Sequence, residues 1–404
     1  MNSIFKKLFF LLGLFAGLNV FSVNLKVIDM TVFTLILMVV VLIKLCIKPK
    51  IYIPKGKFDP LFAYYIIFYV SSILSVVYLP QDWVKANMVS LFSTTLGVFG
   101  FYILFDGQEK KKLLSIFFQG LKINCWIQLG WTFLQFICLE FLSIPLNYVF
   151  GLRNSKSNME VAFQITGLGW ERAELCYTMA LGYLLFDKLW IKALFVLGVL
   201  LTQSRTGMIL IVLVIIASLD YKKIVRQISK LRIQFITLVT VCVALVAILA
   251  LKDRLLSQLT TIIARFGNVR HEGSGLTHLF YYQHIPYILS KINLESIFLG
   301  FGASSSGYPY AAHSQLFDVA NGPWTVESTL LSILWSTGII GFVCWVSWFL
   351  ENICKNFSKN RKVFAIMCAV LIGGIFYTLL PNWGMIVLLA FVYGDMRSNK
   401  KVEV

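Results

Sequence analysis

Residues 189–219 read LWIKALFVLGVLLTQSRTGMILIVLVIIASL. Two apolar runs flank the polar sequence TQSRTG at 202–207, and almost no loop separates them. A helix that spans a membrane needs ~20 predominantly apolar residues, and apolar runs of similar kind recur along the whole chain. The chain is 58% hydrophobic and only 14% charged, which is typical of a polytopic membrane protein and excludes a soluble core.

We therefore predict an all-α polytopic integral membrane protein with about 12 transmembrane helices, in the range 10–12. A single membrane domain covers residues 1–404, because no repeat or linker marks a second one. Cysteines fall in or beside the apolar runs without a CxxC pair, so neither disulfides nor a thiolate metal site is indicated. The predicted spans are residues 8–23, 27–47, 58–79, 84–105, 113–142, 174–190, 190–204, 206–220, 233–251, 326–349, 363–380 and 383–395.

Lysine and arginine cluster at the ends of alternate spans, which is the pattern that orients a membrane protein. A net charge of +17 therefore reflects topology and does not indicate a nucleic-acid partner. The positive-inside rule places both termini in the cytoplasm and directs two long segments, 143–171 and 252–325, to the outside. Within the larger one, 253–266 and 279–291 have amphipathic helical spacing, which predicts a helical outer cap.

Arg205 lies in the short TQSRTG turn, at or below the membrane surface. An arginine at such depth is costly unless it is paired or faces water, so it is a functional candidate. Its planar guanidinium binds phosphate, while Ser204 adds a donor and Gly207 allows close backbone approach. The alternative is an arginine at a helix end whose charge reaches the aqueous surface. The shortness of the turn favours an anion site.

Arg265 and Arg270 lie in the large outer loop, in the segment ARFGNVRHEGSG at 264–275. A pyrophosphate needs cationic groups from more than one segment, because one guanidinium cannot cover both phosphates. The alternative for each arginine is a solvated side chain or a contact with lipid headgroups. Either of them is a candidate partner of Arg205 at a pyrophosphate.

Two residues are the main candidates for a base. His313 lies in a small-residue loop, and a histidine with a pKa near ~6.5 suits proton abstraction. Glu327 lies at the mouth of a span, where partial burial would raise its pKa. Each has the alternative of a surface or capping residue. The remaining groups considered are His271, His278, His284 and Asp318.

Further substrate contacts are expected from Arg153, Arg172, Tyr281 and Trp324, which lie in or beside the outer segments. Stacked aromatic rings bind sugars, although aromatic residues also gather at the membrane interface of any such protein. No HExxH motif and no DxD in the outer loops is present, so we predict no metal site. No cofactor is expected.

An ordered set of motifs resembles the family of O-antigen ligases and O-antigen polymerases, over roughly residues 163–342. S-R-x-G alone would be a weak signal, so the strength of the resemblance lies in the order. The motifs are FQITGLGWERAELCYTMALGYLL (163–185), LTQSRTGMIL (201–210), ARFGNVRHEGSG (264–275), SIFLGFGASSSG (296–307) and ESTLLSILWSTGIIGF (327–342).

The resemblance implies a multi-pass glycosyltransferase of the bacterial inner membrane, with its large loop in the periplasm. Such enzymes transfer a glycan from undecaprenyl pyrophosphate to an acceptor hydroxyl, without nucleotide sugar or metal. Arginines hold the pyrophosphate, and a base takes the acceptor proton. By position, Arg205 matches the S-R arginine, and either Arg265 or Arg270 matches the loop arginine.

One departure from the family pattern bears on the reaction. Ligases typically have a His-Asn pair where this chain has Glu327 and Ser328, and His313 lies fourteen residues earlier. Either His313 supplies the base, or Glu327 takes its position and the protein is not a ligase. The second interpretation favours a polymerase, which joins repeat units to one another.

Two alternatives stay open. A ligase would transfer finished polymer to the lipid A core, and a flippase for lipid-linked oligosaccharides would only bind the phosphates during passage. The expected partners are the undecaprenyl-pyrophosphate-linked oligosaccharide, as donor and acceptor, the membrane lipid and a chain-length regulator protein.

Overall fold

Helices form where the apolar runs predict them. In the computed structural model the described residues are 3–19, 21–24, 29–47, 51, 58–150, 164–169, 171–219, 280–313, 324–377 and 382–394. The elements up to the first long outer segment are α1 Ser3–Phe15, β1 Ser22–Asn24, β2 Asp29–Thr31, α2 Val32–Ile47, α3 Pro60–Leu74, α4 Gln81–Thr94, α5 Gly100–Leu104, α6 Gly107–Leu142 and α7 Leu146–Val149. The later helices are α8 Arg172–Leu185, α9 Leu189–Leu201, α10 Arg205–Ser218, α11 Ile285–Leu289, α12 Leu294–Leu299, α13 Tyr308–His313, α14 Thr329–Asn356, α15 Arg361–Gly373 and α16 Asn382–Tyr393.

The predicted helical membrane architecture is confirmed, whereas the predicted count of about 12 spans is not. Every predicted span within the described residues contains a helix, and the span at 233–251 lies outside them. Only four described helical segments are long and apolar enough to cross a membrane by length and composition. They are Pro60–Val77, Gln81–Leu104, Gly107–Leu142 and Thr329–Asn356.

A short hairpin interrupts the helices near the amino terminus. Strands β1 and β2 pair antiparallel, with Ser22 opposite Thr31 and Asn24 opposite Asp29. The predicted first span, 8–23, ends early because Gly17 has a φ of +75° just after α1. Glycine adopts this left-handed conformation without strain and commonly ends a helix, which frees the following residues to pair as strands.

Two glycines let α1 and α6 pack with their backbones in contact. A Cβ atom at Gly13 would lie 2.0 Å from the Phe117 carbonyl oxygen, and one at Gly120 would lie 2.0 Å from that of Phe10. Small residues promote such close packing in membranes, where the hydrophobic effect does not drive helices together. The contact fixes the end of α1 against the bundle.

Buried amide side chains on α6 hold the polypeptide that leads into α8. The Gln128 carbonyl oxygen accepts from the Leu168 amide at 2.8 Å, and that of Gln135 accepts from the Gly167 amide at 2.8 Å. The Gln128 amide group also donates to the Gly17 carbonyl at 3.3 Å. Because buried polar groups need partners, these bonds specify where α8 begins.

Helix α14 is broken at Gly338, and a second segment fills the break. Gly338 has φ +63° and ψ −172°, a conformation essentially restricted to glycine. The Trp335 carbonyl accepts from the Phe301 amide at 2.7 Å, and the Ser336 carbonyl accepts from the Gly302 amide at 2.9 Å. The loop before α13 therefore lies buried within the bundle, where it satisfies backbone groups that the break leaves open.

We expect Gly338→Ala to lower the yield and the unfolding temperature of the protein. A Cβ at this position would lie 2.2 Å from the Phe298 carbonyl oxygen, and the backbone conformation alone would cost of order 1–3 kcal/mol. The measurement is the thermal unfolding midpoint of purified protein in detergent. Gly130→Ala is the control, because a Cβ there meets nothing within 4 Å. Equal midpoints for the two variants would contradict the role of Gly338.

Candidate functional site

The S-R turn is as short as the sequence predicts. Helix α9 ends at Leu201 and α10 begins at Arg205. Gln203 reverses the chain with a φ of +54°, and the Ser204 hydroxyl accepts from the Gly207 amide at 3.2 Å as the helix cap. Arg205 is the first residue of α10 and is half-buried. Arg205 therefore lies at a helix N-terminus, which is an environment that favours bound anions.

Arg172 and Ser204 come together at the Cys176 side chain. Arg172 begins α8 and is half-buried; its charge acts on the Cys176 thiol, which also bonds the Ser204 hydroxyl. The Cys176 sulfur lies 3.1 Å from the Thr202 hydroxyl. A Cβ at Gly207 would lie 2.2 Å from that sulfur, so α8 and α10 pack closely there. Two predicted arginine positions thus lie at the N-termini of neighbouring helices.

Three glutamates surround the Tyr377 hydroxyl, next to these arginines along the chain. Tyr377 donates a hydrogen bond to Glu171. Burial, and then the charges of Glu174, Glu171 and Glu327, raise the pKa of Tyr377 well above its ordinary value. The Asn19 amide donates to both carboxylate oxygens of Glu174 at 2.9 Å. Tyr377 therefore remains protonated and donates its hydrogen bond to Glu171.

Glu327 lies immediately before α14, whose N-terminus is fixed by its neighbour Ser328. The Ser328 hydroxyl donates to the Gly374 carbonyl at 3.0 Å and lies 3.1 Å from the Tyr282 hydroxyl. Part of Glu327 is exposed, yet the surrounding protein covers its carboxyl group enough to raise its pKa. Burial and the nearby Glu327 charge raise the pKa of Tyr281 to about 12. The role of Glu327 as a base stays a prediction.

The two described histidines occupy different environments. His313 is half-buried at the end of α13, and burial, together with the charge of Lys291, lowers its pKa. It is therefore neutral near pH 7 and able to accept a proton. The His284 ring packs on Phe280 with ring centroids 3.8 Å apart, and its Nδ1 lies 3.0 Å from the Phe280 carbonyl oxygen. This geometry is typical of a structural residue.

Tyr281 and Trp324, predicted as substrate contacts, belong to an aromatic cluster in the outer segment. Tyr281 is only 4% exposed; its ring centroid lies 6.2 Å from that of Trp324 and 5.2 Å from that of Tyr310. The Trp335 indole donates to the Tyr310 hydroxyl at 3.1 Å, and that hydroxyl donates to the Tyr281 carbonyl at 2.8 Å. The cluster joins the outer segment to α14, and the half-buried Trp324 retains open surface.

Arg153, Arg265 and Arg270 lie outside the described residues. Their predicted roles, together with those of His271 and His278, stay predictions. The described part of the site therefore consists of Arg172, Ser204 and Arg205 on α8 and α10, and of Glu327 before α14.

Sequence reasoning missed Glu171, Glu174, Tyr377 and Asn19. The signal for the first two was present, because WERAE at 170–174 places acidic residues on both sides of Arg172 just before an apolar run. Tyr377 and Asn19 carried no local signal, because their partners are far away in the sequence. The Asn19 contact to Glu174 spans 155 residues.

Comparison with known proteins identifies one family. Residues 190–346 match the model of a family described as O-antigen ligase, which confirms the resemblance inferred from the motifs. The match includes Ser204, Arg205, His313 and Glu327, and it begins after α8. A search of the curated proteins found no match.

Proposed function

From its place in the O-antigen ligase/polymerase family, we propose that this protein is an O-antigen polymerase of the bacterial inner membrane. It joins undecaprenyl-pyrophosphate-linked repeat units on the periplasmic face. The hydroxyl of one unit attacks the anomeric carbon of another, and undecaprenyl pyrophosphate departs from the opposite side. Attack from that side inverts the configuration at this carbon.

The arginines act on the leaving group. Arg205, with Arg265 or Arg270 from the outer loop, stabilises the negative charge that develops on the pyrophosphate, which is electrostatic stabilisation of the transition state. Arg172 supplies a further positive charge, because its charge acts on the Cys176 thiol that Ser204 contacts. Helix N-termini at α8 and α10 add their own positive ends. This chemistry requires neither a metal ion nor a nucleotide sugar.

A base activates the acceptor hydroxyl. Glu327 is our first assignment, because its partial burial raises its pKa and so strengthens it as a proton acceptor. His313 is the alternative, with a pKa lowered below its ordinary value. The proton taken from the acceptor is released to water after the glycosidic bond has formed.

The observation that carries the proposal is the convergence of these groups at one end of the bundle. The charges of Glu171 and Glu327 both act on Tyr377. Glu171 directly precedes Arg172, whose charge acts on the Cys176 thiol that Ser204 contacts. Arginines for a pyrophosphate and a carboxylate for a hydroxyl proton are thus on connected elements. A glycosyl transfer from a pyrophosphate needs both.

The opposite end of the bundle supports the proposed orientation. Lys362 pairs with Asp187 at 3.0 Å, just beyond the C-terminus of α8, and Lys44 pairs with Glu109 at 2.8 Å. Lys362 therefore lies at the end of α8 away from Arg172. Under the positive-inside rule, that end faces the cytoplasm and the arginine site faces the periplasm.

A ligase is the second candidate, because the description of the matched family is O-antigen ligase. It would use the same arginines and transfer finished polymer to the lipid A core. The presence of Glu327 and Ser328, where ligases typically have His-Asn, is the reason that we place the polymerase first.

Deleting the gene and separating the surface polysaccharide on a gel distinguishes the candidate functions. Loss of a polymerase leaves lipid A core that carries a single repeat unit, which is the expected result. Loss of a ligase leaves bare core while polymer remains on the lipid carrier. Bare core without polymer would instead indicate a flippase and would contradict a glycosyltransferase.

A further inference from the structure

A cavity of about 470 Å³ opens beside the carboxylates, and the mechanism above does not use it. Helices α3, α4, α14 and α16, the first turn of α8, and Tyr377 line it. Its volume falls in the range of ~300–1,000 Å³ that small-molecule sites occupy. The cavity is therefore large enough for part of a ligand.

Hydroxyl groups face this cavity from two helices. Ser90, Ser93 and Thr94 lie on one face of α4, and the other stripe consists of Thr329, Ser332 and Ser336 on α14. Both sets follow helical spacing, which places their side chains on one side of each helix. Since hydroxyls both donate and accept hydrogen bonds, such walls match a ligand that is itself rich in hydroxyl groups.

The break in α14 lies beside this stripe. Ser336 lies two residues before Gly338, and its carbonyl is already bonded to the Gly302 amide. Ser304 belongs to the segment that fills the break, and it also lines the cavity. The buried outer loop thus satisfies backbone groups of α14. Thr329 donates to the Tyr377 carbonyl at 3.0 Å and Ser332 to the Ser306 hydroxyl at 3.3 Å, and a hydroxyl that donates keeps its capacity to accept a hydrogen bond.

Charge distinguishes this cavity from the arginine site. Among the described residues that line it, Glu174 is the one with a formal charge at neutral pH, and none is a lysine or arginine. A lone carboxylate repels phosphate but accepts strong hydrogen bonds from neutral donors. The Asn19 amide, bonded to both oxygens of Glu174, fixes that carboxylate at the wall.

We infer that this cavity is a saccharide subsite, in which Glu174 accepts a hydrogen bond from a sugar hydroxyl of the substrate. The inference rests on the proposed function and deepens it. Glu174 lies in the first turn of α8, two residues after Arg172. A sugar in the cavity therefore lies at the same end of α8 as Arg172. Glu174 is a binding residue here, and the base remains Glu327 or His313.

The test uses the full-length protein in lipid nanodiscs with a polyprenyl-pyrophosphate repeat unit as substrate. Two inhibitors separate the subsites: the repeat-unit oligosaccharide without lipid or phosphate, and inorganic pyrophosphate. We expect Ser90→Leu, which fills the cavity, and Glu174→Gln, which keeps its size, to raise the KM and the oligosaccharide inhibition constant by about tenfold or more. The inhibition constant of pyrophosphate should not change.

Matched controls are available at exposed positions. Ser290→Leu and Glu295→Gln repeat the same changes on the outer helices, where both side chains are exposed, and should leave both inhibition constants unchanged. Arg205→Ala should show the reverse selectivity, weakening inhibition by pyrophosphate alone. Because Glu174→Gln is isosteric, it keeps the test valid if Ser90→Leu does not fold.

Several outcomes would overturn the inference. Unchanged oligosaccharide inhibition in Glu174→Gln would exclude the subsite while leaving the glycosyltransferase intact. An equal loss of both kinds of inhibition would indicate general damage and would also count against it. If the wild-type protein instead transfers no sugar from this substrate, the proposed function fails, independently of the cavity.

Discussion

Replacing Arg205 with alanine is expected to abolish polymer formation at normal protein levels. The guanidinium begins α10, next to the Ser204 cap and close to the α8 N-terminus that carries Arg172. Removing one group that stabilises transition-state charge typically costs about 10²–10³-fold in rate. The measurement is the polysaccharide ladder of a deletion strain that expresses the variant, with transfer rates from purified protein.

Arg361→Ala is the matched control. Arg361 also begins a helix, α15, after a side-chain cap, in this case Asn360. Its guanidinium packs on the Phe357 ring, 4.9 Å from the ring centroid, at the end of the bundle away from Arg205. The variant should retain a full ladder. A full ladder from Arg205→Ala itself would exclude the pyrophosphate role.

The variant Arg205→Lys tests whether a positive charge alone is sufficient at this position. Lysine keeps the positive charge but loses the planar, two-pronged geometry with which arginine binds phosphate oxygens. We expect partial activity, between that of alanine and that of the wild type. Full activity would indicate that charge alone is needed at this position.

Apolar run length was enough to place the helices but not to describe their interruptions. The predicted span at 326–349 contains α14, yet nothing in its composition shows that Gly338 adopts a positive φ. That conformation depends on the segment at 299–302, which fills the break through hydrogen bonds to Trp335 and Ser336. The same segment was predicted as an outer loop because glycine and serine are common in loops. Its burial follows from pairing with distant residues.

The residues of the candidate site also fall into two groups, those that the sequence predicted and those that it did not. Arg205, Ser204 and Glu327 were predictable, because each carries a local signal at the end of an apolar run. Glu174 was not, because its role depends on Asn19, just after α1, and on hydroxyls from α4 and α14. Local sequence patterns show where a charged residue lies at the end of an apolar run. Only the packing shows which side chains line the same cavity.

Glu327→Gln is expected to reduce the transfer rate by roughly 10²–10⁴-fold, the usual contribution of a general base. The amide has nearly the same size but cannot accept the acceptor proton. Glu295→Gln is the control, because Glu295 is exposed in the first turn of α12 at the same end of the bundle. If Glu327→Gln kept substantial activity, His313 would be assigned as the base instead.

The pH profile supplies an independent test of the same assignment. A base must be deprotonated to act, so the rate should rise with pH through the pKa of Glu327, which burial raises above its ordinary value of 4.5. For His313, burial and Lys291 lower the pKa below 6.5, so the two shifts bring the acid limbs of the two candidates closer together. The position of the limb therefore does not separate the two residues, whereas the variants do. We expect the limb to disappear in Glu327→Gln and to persist in His313→Gln; the opposite result would make His313 the base.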